Sequence, residues 1–161
     1  MKILGFINRN TSGFSNTRTL TTLYISLVRS ILEYASIVWS PFNVSSIERI
    51  NKIQNKFLKM VSFRCGTNST YLKSLTERRI NFDVTFIFKL FNGLIDAPDL
   101  LSKLPLAVPS YNSRYPIIFK CKFHATNYGY AAPLDRACRT LNNISNVDLF
   151  FDSLPSILYK L

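Results

Sequence analysis

The sequence predicts a mainly α-helical fold, a helical bundle of about five helices with an irregular Pro-rich middle and at most one short strand or hairpin. Three long stretches repeat apolar residues every three or four positions, which places those residues on one side of an α-helix. Helix-starting and helix-stopping residues flank these stretches, and Pro105, Pro109 and Pro116 break regular structure after them. With 161 residues, 47% of them hydrophobic, the chain can bury a core of its own.

The first long helix is predicted from about Thr19 to Trp39. Its apolar stripe keeps helical spacing throughout and consists of Leu20, Leu23, Tyr24, Leu27, Val28, Ile31, Ala35, Val38 and Trp39. Asn16 or Thr17 is placed to cap its start, and Pro41 stops it. An unbroken helix of about 21 residues would form a rod of ~30 Å.

The second helix is predicted to start near Ser45 or Ser46 and to run to about Val61, with Gly66 in the loop that follows. Its apolar face consists of Ile47, Ile50, Ile53, Phe57, Leu58 and Val61. Four cations at spacings of three, four and three line up on the opposite face, namely Arg49, Lys52, Lys56 and Lys59.

The third helix is predicted from about Thr76 to Asn92, with Gly93 at the position where helices commonly end in a left-handed residue. One apolar face consists of Ile80, Val84, Ile87, Phe88 and Phe91, and a second consists of Phe82, Phe86 and Leu90. A helix that is apolar on two faces lies in the centre of a fold or is covered by a partner.

The rest of the chain predicts shorter elements and one domain boundary. The elements are a helix over 98–104, a strand over 116–123, a helix over 132–142 with Pro133 in its first turn, and an amphipathic segment over 148–161 interrupted by Pro155. The Pro-rich stretch is the best boundary candidate. It divides the chain into a helical bundle over 1–104 and, over 105–161, an irregular segment with C-terminal helices packed on it.

The charge balance favours a polyanionic partner. Twenty Lys and Arg residues face nine Asp and Glu residues, a net charge of +11, which suits nucleic acid or an anionic membrane surface. No secretion signal or span of ~20 apolar residues is visible, so we expect an intracellular protein, nuclear or cytoplasmic, without a membrane partner. Cys65, Cys121 and Cys138 are an odd number of cysteines, which predicts free buried thiols.

The residues offer little material for catalysis or metal binding. The acidic residues are scattered, and the nearest pair, Asp96 and Asp99, is typical of a helix start. Cys121 and His124 form a Cys-x-x-His pair to which Cys65 and Cys138 could add ligands, but structural zinc sites usually bring two close pairs. A Cys–His nucleophile also needs an orienting third residue, and none stands out. We therefore predict no catalytic residue, no metal and no cofactor.

Three cationic features allow both a binding and a structural interpretation. The row Arg49, Lys52, Lys56 and Lys59 is either a solvated helix face or a phosphate-contacting face. Arg78 and Arg79 stand at a helix start, where the helix dipole disfavours cations. They favour an anionic partner there, unless they pair with Glu77, Asp83 or another acidic side chain. Tyr128-Gly129-Tyr130 lies among cations and either stacks on bases or forms a turn packed under the 133–142 helix, the interpretation that we favour.

Ordered blocks along nearly the whole chain resemble one protein family. The blocks are Leu4-Gly5-Phe6-Ile7-x-Arg9 with Phe14, Leu23-Tyr24-x-x-Leu27-Val28-Arg29-Ser30-x-Leu32-Glu33-Tyr34, Val38-Trp39-Ser40-Pro41, Ile47-Glu48-Arg49-Ile50, Gln54-Asn55-Lys56-Phe57-Leu58, Glu77-Arg78-Arg79 and Phe88-Lys89-Leu90-Phe91-Asn92-Gly93-Leu94-Ile95. A later block is Phe123-His124-x-Thr126-Asn127-Tyr128-Gly129 with Pro133 and Arg136. In order and spacing they resemble the C-terminal, thumb and post-thumb, region of jockey-type non-LTR (LINE-like) retrotransposon reverse transcriptases.

The resemblance implies a non-catalytic part of an RNA-directed DNA polymerase. In that family the thumb is a helical bundle that packs on the primer–template duplex, and the paired aspartates of the active site lie upstream in the palm. The implied partners are an RNA/DNA duplex, gripped through its phosphates, and the palm domain of the same polyprotein. Met1 stands immediately before the first block, so we expect a truncated fragment that cannot polymerise alone.

A second hypothesis is a non-enzymatic helical interaction module, or a decayed relic with no selected function. The two apolar faces of the helix over 76–92 motivate it, because a missing palm would leave one of them bare.

Overall fold

The computed structural model describes residues 2–66, 72–108, 117–144 and 147–160. It confirms the mainly helical fold class, with five of the helices at least seven residues long. In the described ranges, β pairing is limited to one antiparallel bridge between Leu106 and Phe119, although a strand was predicted over 116–123. No helix within these ranges is both long and apolar enough to cross a bilayer.

The helices, in chain order, are α1 (Lys2–Asn10), α2 (Thr17–Tyr24), a π-helical turn (Ile25–Arg29), α3 (Ser30–Glu33), α4 (Ser36–Trp39), α5 (Val44–Cys65), α6 (Leu75–Phe91), α7 (Pro98–Leu101), α8 (Asn127–Tyr130), α9 (Pro133–Asn142) and α10 (Leu154–Tyr159). Two of them, α1 and α8, were not predicted from the sequence. Pro155 lies in the first turn of α10, which begins at Leu154, so the break predicted at this proline coincides with the start of the helix.

The chain divides into two compact units. Unit 1 comprises Met1–Ser36 and Pro41–Arg78, and unit 2 comprises Ile37–Ser40 and Arg79–Leu161. These units do not coincide with the division predicted at residues 104 and 105, which lies inside unit 2. Pro109 and Pro116, on which that division depends, lie outside the described residues.

The predicted rod over 19–39 is wrong in one respect, because the helix is interrupted. Asn16 caps its start, and its side-chain oxygen accepts the Arg18 and Thr19 amides at 2.9 and 3.4 Å. After α3 the backbone turns at Ala35, whose φ of 50° lies in the left-handed region. The carbonyl of Ile37 then accepts a hydrogen bond from Arg136 in unit 2. A tertiary bond from a residue so distant in sequence overrides a local pattern that favours one continuous helix.

Unit 1 is built on aromatic and aliphatic contacts between α1, α2 and α5. Its buried core consists of Leu4, Ile7, Leu20, Tyr24, Val28, Phe57 and Val61. The rings of Tyr24 and Phe57 stack, with centroids 4.2 Å apart. Burial raises the pKa of Tyr24 to about 12. The hydroxyl therefore stays protonated at neutral pH.

Helix α5 is longer than predicted and has a different cap. Asn43, rather than Ser45 or Ser46, accepts the Ser45 amide at 3.2 Å. The helix ends at Cys65, and Gly66 has a φ of 63°, as a left-handed helix terminus requires. Near that end, Arg64 donates hydrogen bonds to the carbonyls of Thr11 and Asn8 at 2.8 and 2.6 Å. These bonds fasten the end of α1 to the end of α5.

Helix α6 is enclosed by this chain's own residues on both predicted apolar faces. Its first four residues belong to unit 1 and the remainder to unit 2. In unit 2, Val84 and Ile87 are fully buried, and Leu90 and Phe86 from the second face also belong to or pack against the core cluster. The expectation of a bare second face is therefore wrong, because later residues of the chain supply the covering surface.

A buried polar group organises unit 2. Arg136 donates two hydrogen bonds to the Asp83 carboxylate, at 2.9 and 3.0 Å. It also reaches the carbonyls of Ile37 and Ala131. Burial raises the pKa of Asp83, while the hydrogen bonds and charge of Arg136 oppose that rise. The side chain of Asn142 also binds backbone groups in this unit. It donates a hydrogen bond to the Phe119 carbonyl at 2.8 Å and accepts one from the Phe119 amide at 3.0 Å.

Candidate nucleic-acid interface

The exposed face of α5 carries four cations in a row. Arg49, Lys52, Lys56 and Lys59 are all exposed, whereas Phe57 and Val61 on the opposite face are fully buried. At about 100° per residue the four side chains fall within an arc of about 80°, and at 1.5 Å per residue they extend over about 15 Å. The row is therefore narrow and straight, and it is carried by a helix of 22 residues.

The four cations have no acidic partner among the described residues. The ion pairs in those ranges join Arg29 and Arg78 to Glu33, Arg136 to Asp83 and Lys160 to Asp152, and His124 Nε2 lies 3.1 Å from Asp135 Oδ2. Two open depressions of about 510 and 410 Å³ lie along the row. The described residues lining the larger one are Ser46, Arg49, Ile50, Lys52, Ile53 and Lys56. Two isoleucines and three long cations thus line the same depression, and long cations typically lay their apolar stems on such a surface and keep their charged heads in water.

The positive charge is concentrated in the unit that contains this row. Unit 1 has eleven Lys and Arg residues and three Glu residues, a net charge of +8. Unit 2 has nine Lys and Arg residues and six Asp residues, a net charge of +3. A polyanion is therefore attracted more strongly to unit 1.

Arg78, predicted as a nucleic-acid contact, has an internal partner. Its guanidinium forms a two-pronged ion pair with Glu33, in which the Nη2–Oε2 distance is 3.0 Å. The hydrogen bond to Glu33 raises the pKa of Arg78 above its ordinary value. Glu77 instead exchanges hydrogen bonds with Ser74 in a capping box at the start of α6. Arg78 therefore pairs with an acidic side chain of the chain itself, and that side chain is Glu33.

Arg79 was also predicted as a nucleic-acid contact, but it lies inside unit 2. It is only 5% exposed, and its guanidinium carbon lies 5.4 Å from the centre of the Trp39 ring. Burial on this scale leaves no surface of the Arg79 side chain for a phosphate. Trp39 itself, the last residue of the apolar stripe predicted over 19–39, is 42% exposed and lies at the surface.

The candidate metal and nucleophile residues also have structural environments. In the described ranges no three His, Cys, Asp or Glu side chains are placed to hold a metal ion. All three cysteines are free, as predicted, but only Cys138 is buried. Burial raises the pKa of Cys138 to about 12 and raises that of Cys121. Both thiols therefore stay protonated at neutral pH, which makes them poor nucleophiles. Asp99 lies in the first turn of α7, as expected for a helix start.

The comparisons with known proteins add no relative to this description. No protein-family model, no curated protein and no solved structure matches the chain. The resemblance to retrotransposon reverse transcriptases therefore stays a prediction.

Proposed function

We propose that the chain binds an RNA/DNA duplex through its phosphates along α5, as the non-catalytic thumb and post-thumb region of a retrotransposon reverse transcriptase. The observation that carries the proposal is the row of four exposed cations without an acidic partner in the described part of the chain. The family resemblance adds the biological setting. The palm of the same polyprotein is the second partner proposed.

The proposed interaction is electrostatic and largely independent of base sequence. One strand of a duplex rises about 3.4 Å per phosphate, so a row of about 15 Å can accompany about four phosphates. Lysine and arginine side chains that contact phosphates fix the position of a duplex without reading its bases. A polymerase thumb needs such contacts, because it must hold every sequence that the enzyme copies.

Fluorescence anisotropy with a labelled RNA–DNA hybrid tests the proposal. The test variant replaces the row with glutamine (R49Q, K52Q, K56Q and K59Q). The matched control removes the same number of Arg and Lys residues at exposed positions elsewhere (R18Q, K2Q, K89Q and K103Q). We expect the test variant to lose at least about 100-fold in affinity at low salt, and the control variant to lose far less. Equal losses in the two variants would refute a localised site on α5.

A primer-extension assay with magnesium or manganese tests the non-catalytic part of the proposal. We expect no template-dependent synthesis by the chain alone. Nucleotide incorporation that depends on the template would contradict it, provided that the same activity remains after further purification of the protein.

A non-enzymatic interaction module is the second candidate, and exposed apolar residues outside α6 favour it. Phe6, Ile31 and Tyr34 of unit 1 are 57%, 57% and 80% exposed. Sedimentation of the purified chain separates the candidates. Self-association that F6S, I31S and Y34S together abolish would favour the module, whereas a monomer that binds the hybrid favours the polymerase part.

A further inference from the structure

Three aromatic rings project from one short segment of unit 2, between the Phe119 bridge and α9. Phe123 is 93% exposed, Tyr128 87% and Tyr130 56%. A single exposed aromatic residue is ordinary on a protein surface. Three strongly exposed aromatic residues within eight positions of the sequence are less common, and they favour contact with a ligand or partner.

The backbone of this segment is fastened even though its rings are exposed. His124 Nε2 lies 3.1 Å from Asp135 Oδ2 on α9. The Thr126 hydroxyl accepts the Gly129 amide at 3.2 Å and caps α8. Gly129 packs so closely on His124 that a Cβ atom there would lie 2.9 Å from the imidazole Nδ1. Because these contacts hold the backbone in place, the rings lose little conformational freedom on binding, which favours a higher affinity for a ligand.

Cations accompany the rings. Lys120 and Lys122 are exposed, and the guanidinium carbon of Arg139 lies 3.7 Å from the centre of the Tyr130 ring. Asp135, the acidic side chain on this part of α9, is engaged with His124. Aromatic rings beside unpaired cations suit a ligand that is both anionic and aromatic, which describes a single strand of nucleic acid.

We propose that the segment Lys120–Tyr130 binds single-stranded nucleic acid. The rings of Phe123 and Tyr128 stack on bases, and Lys120 and Lys122 contact phosphates. Tyr130 is held by Arg139 and supports the segment. This site is independent of the row on α5, because stacking requires unpaired bases whereas the α5 row requires only phosphates.

The test compares two labelled oligonucleotides of about 15 nucleotides, one of thymidine and one abasic with the same phosphates. The wild-type chain is expected to bind the thymidine oligonucleotide at least tenfold more tightly. F123A with Y128A removes that preference and leaves binding of the abasic strand and of the RNA–DNA hybrid unchanged. The matched control, F151A with Y159A, removes one Phe and one Tyr that are 90% and 92% exposed in the same unit, and it keeps the preference.

Two further variants separate positioning from charge. G129A forces the His124 side chain away from position 129 and reduces the thymidine preference, whereas G13A, which has open space for a Cβ atom, does not. K120Q with K122Q makes the slope of log affinity against log salt concentration shallower for the thymidine oligonucleotide, by the amount expected for the loss of about two phosphate contacts.

Three outcomes would overturn the proposal. The first is equal affinity of the wild-type chain for the thymidine and abasic strands. The second is an identical effect of the F123A/Y128A and F151A/Y159A pairs. The third is self-association or protein binding that F123A and Y128A abolish while oligonucleotide affinity stays unchanged, which would assign the rings to a protein interface. Failure of the α5 variant to reduce hybrid binding bears on the proposed function alone.

Discussion

Replacing Arg136 with methionine should strongly destabilise unit 2. Asp83 is 4% exposed, and Arg136 holds its carboxylate with hydrogen bonds of 2.9 and 3.0 Å. The substitution keeps most of the apolar stem but leaves a buried carboxylate without a counter-ion, which typically costs 3–5 kcal/mol. It also removes the donors to Ile37 and Ala131. We expect a loss of about 4 kcal/mol, a large share of the 5–15 kcal/mol typical of a domain.

Urea denaturation followed by circular dichroism measures this loss, and a double-mutant cycle assigns it. D83N with R136M removes the buried charge together with its partner, so the double variant should be less destabilised than R136M alone. The pH dependence supplies a second test. Burial raises the pKa of Asp83, and removing Arg136 takes away the group that opposes the rise, so the folded state binds a proton more readily than the unfolded chain. The R136M penalty should therefore shrink as the pH falls through the raised pKa. A loss below about 1 kcal/mol, or a penalty that grows on acidification, would refute this reasoning.

Two other substitutions test local features of unit 1. A35G should stabilise the chain by about 1 kcal/mol in urea denaturation, because glycine adopts the observed φ of 50° without the steric cost that alanine incurs; destabilisation would contradict the left-handed turn. N43A should cost about 1 kcal/mol by the same measurement, since Asn43 caps α5, whereas S46A should cost far less; equal losses would return the cap to the serine predicted from the sequence.

The two faces of α5 could be predicted because the helical spacing of its apolar residues determines both the buried and the exposed side. Apolar residues at helical spacing define the buried side, so the residues between them must lie outside it. Lysine and arginine are rarely buried without a partner, which makes their side of the helix predictable as well. The exposed row from Arg49 to Lys59 follows from these two rules alone.

Arg78 and Arg79 show where such local reasoning stops. The unfavourable position of cations at a helix start is visible in the sequence, but the partners that resolve it are not. Glu33 lies 45 residues before Arg78, and Trp39 precedes Arg79 by a similar distance. Contacts across such separations depend on the tertiary arrangement, which periodicity and capping rules do not encode.

The missed turn at Ala35 has a similar cause. Alanine is the strongest helix former, and the apolar stripe continues through this position, so every local signal favours a continuous helix. Residues Ile37–Ser40, which begin two positions later, belong to unit 2, where Arg136 binds the Ile37 carbonyl. The exposure of the Phe123 and Tyr128 rings was not predicted: Phe123 was given no binding role, and a packed turn was favoured for Tyr128. Aromatic residues are usually buried, and their exposure is visible only in the fold.

The salt dependence of hybrid binding tests the phosphate-binding role of α5 most directly. Each phosphate contact contributes about −0.9 to the slope of log affinity against log salt concentration, so the four cations of the row should contribute about −3.6. Fluorescence anisotropy across a salt series should therefore show that R49Q, K52Q, K56Q and K59Q together reduce the steepness by about 3.6, while the matched control reduces it by less than about 1. Equal slopes for the two variants would contradict the assignment of duplex binding to α5.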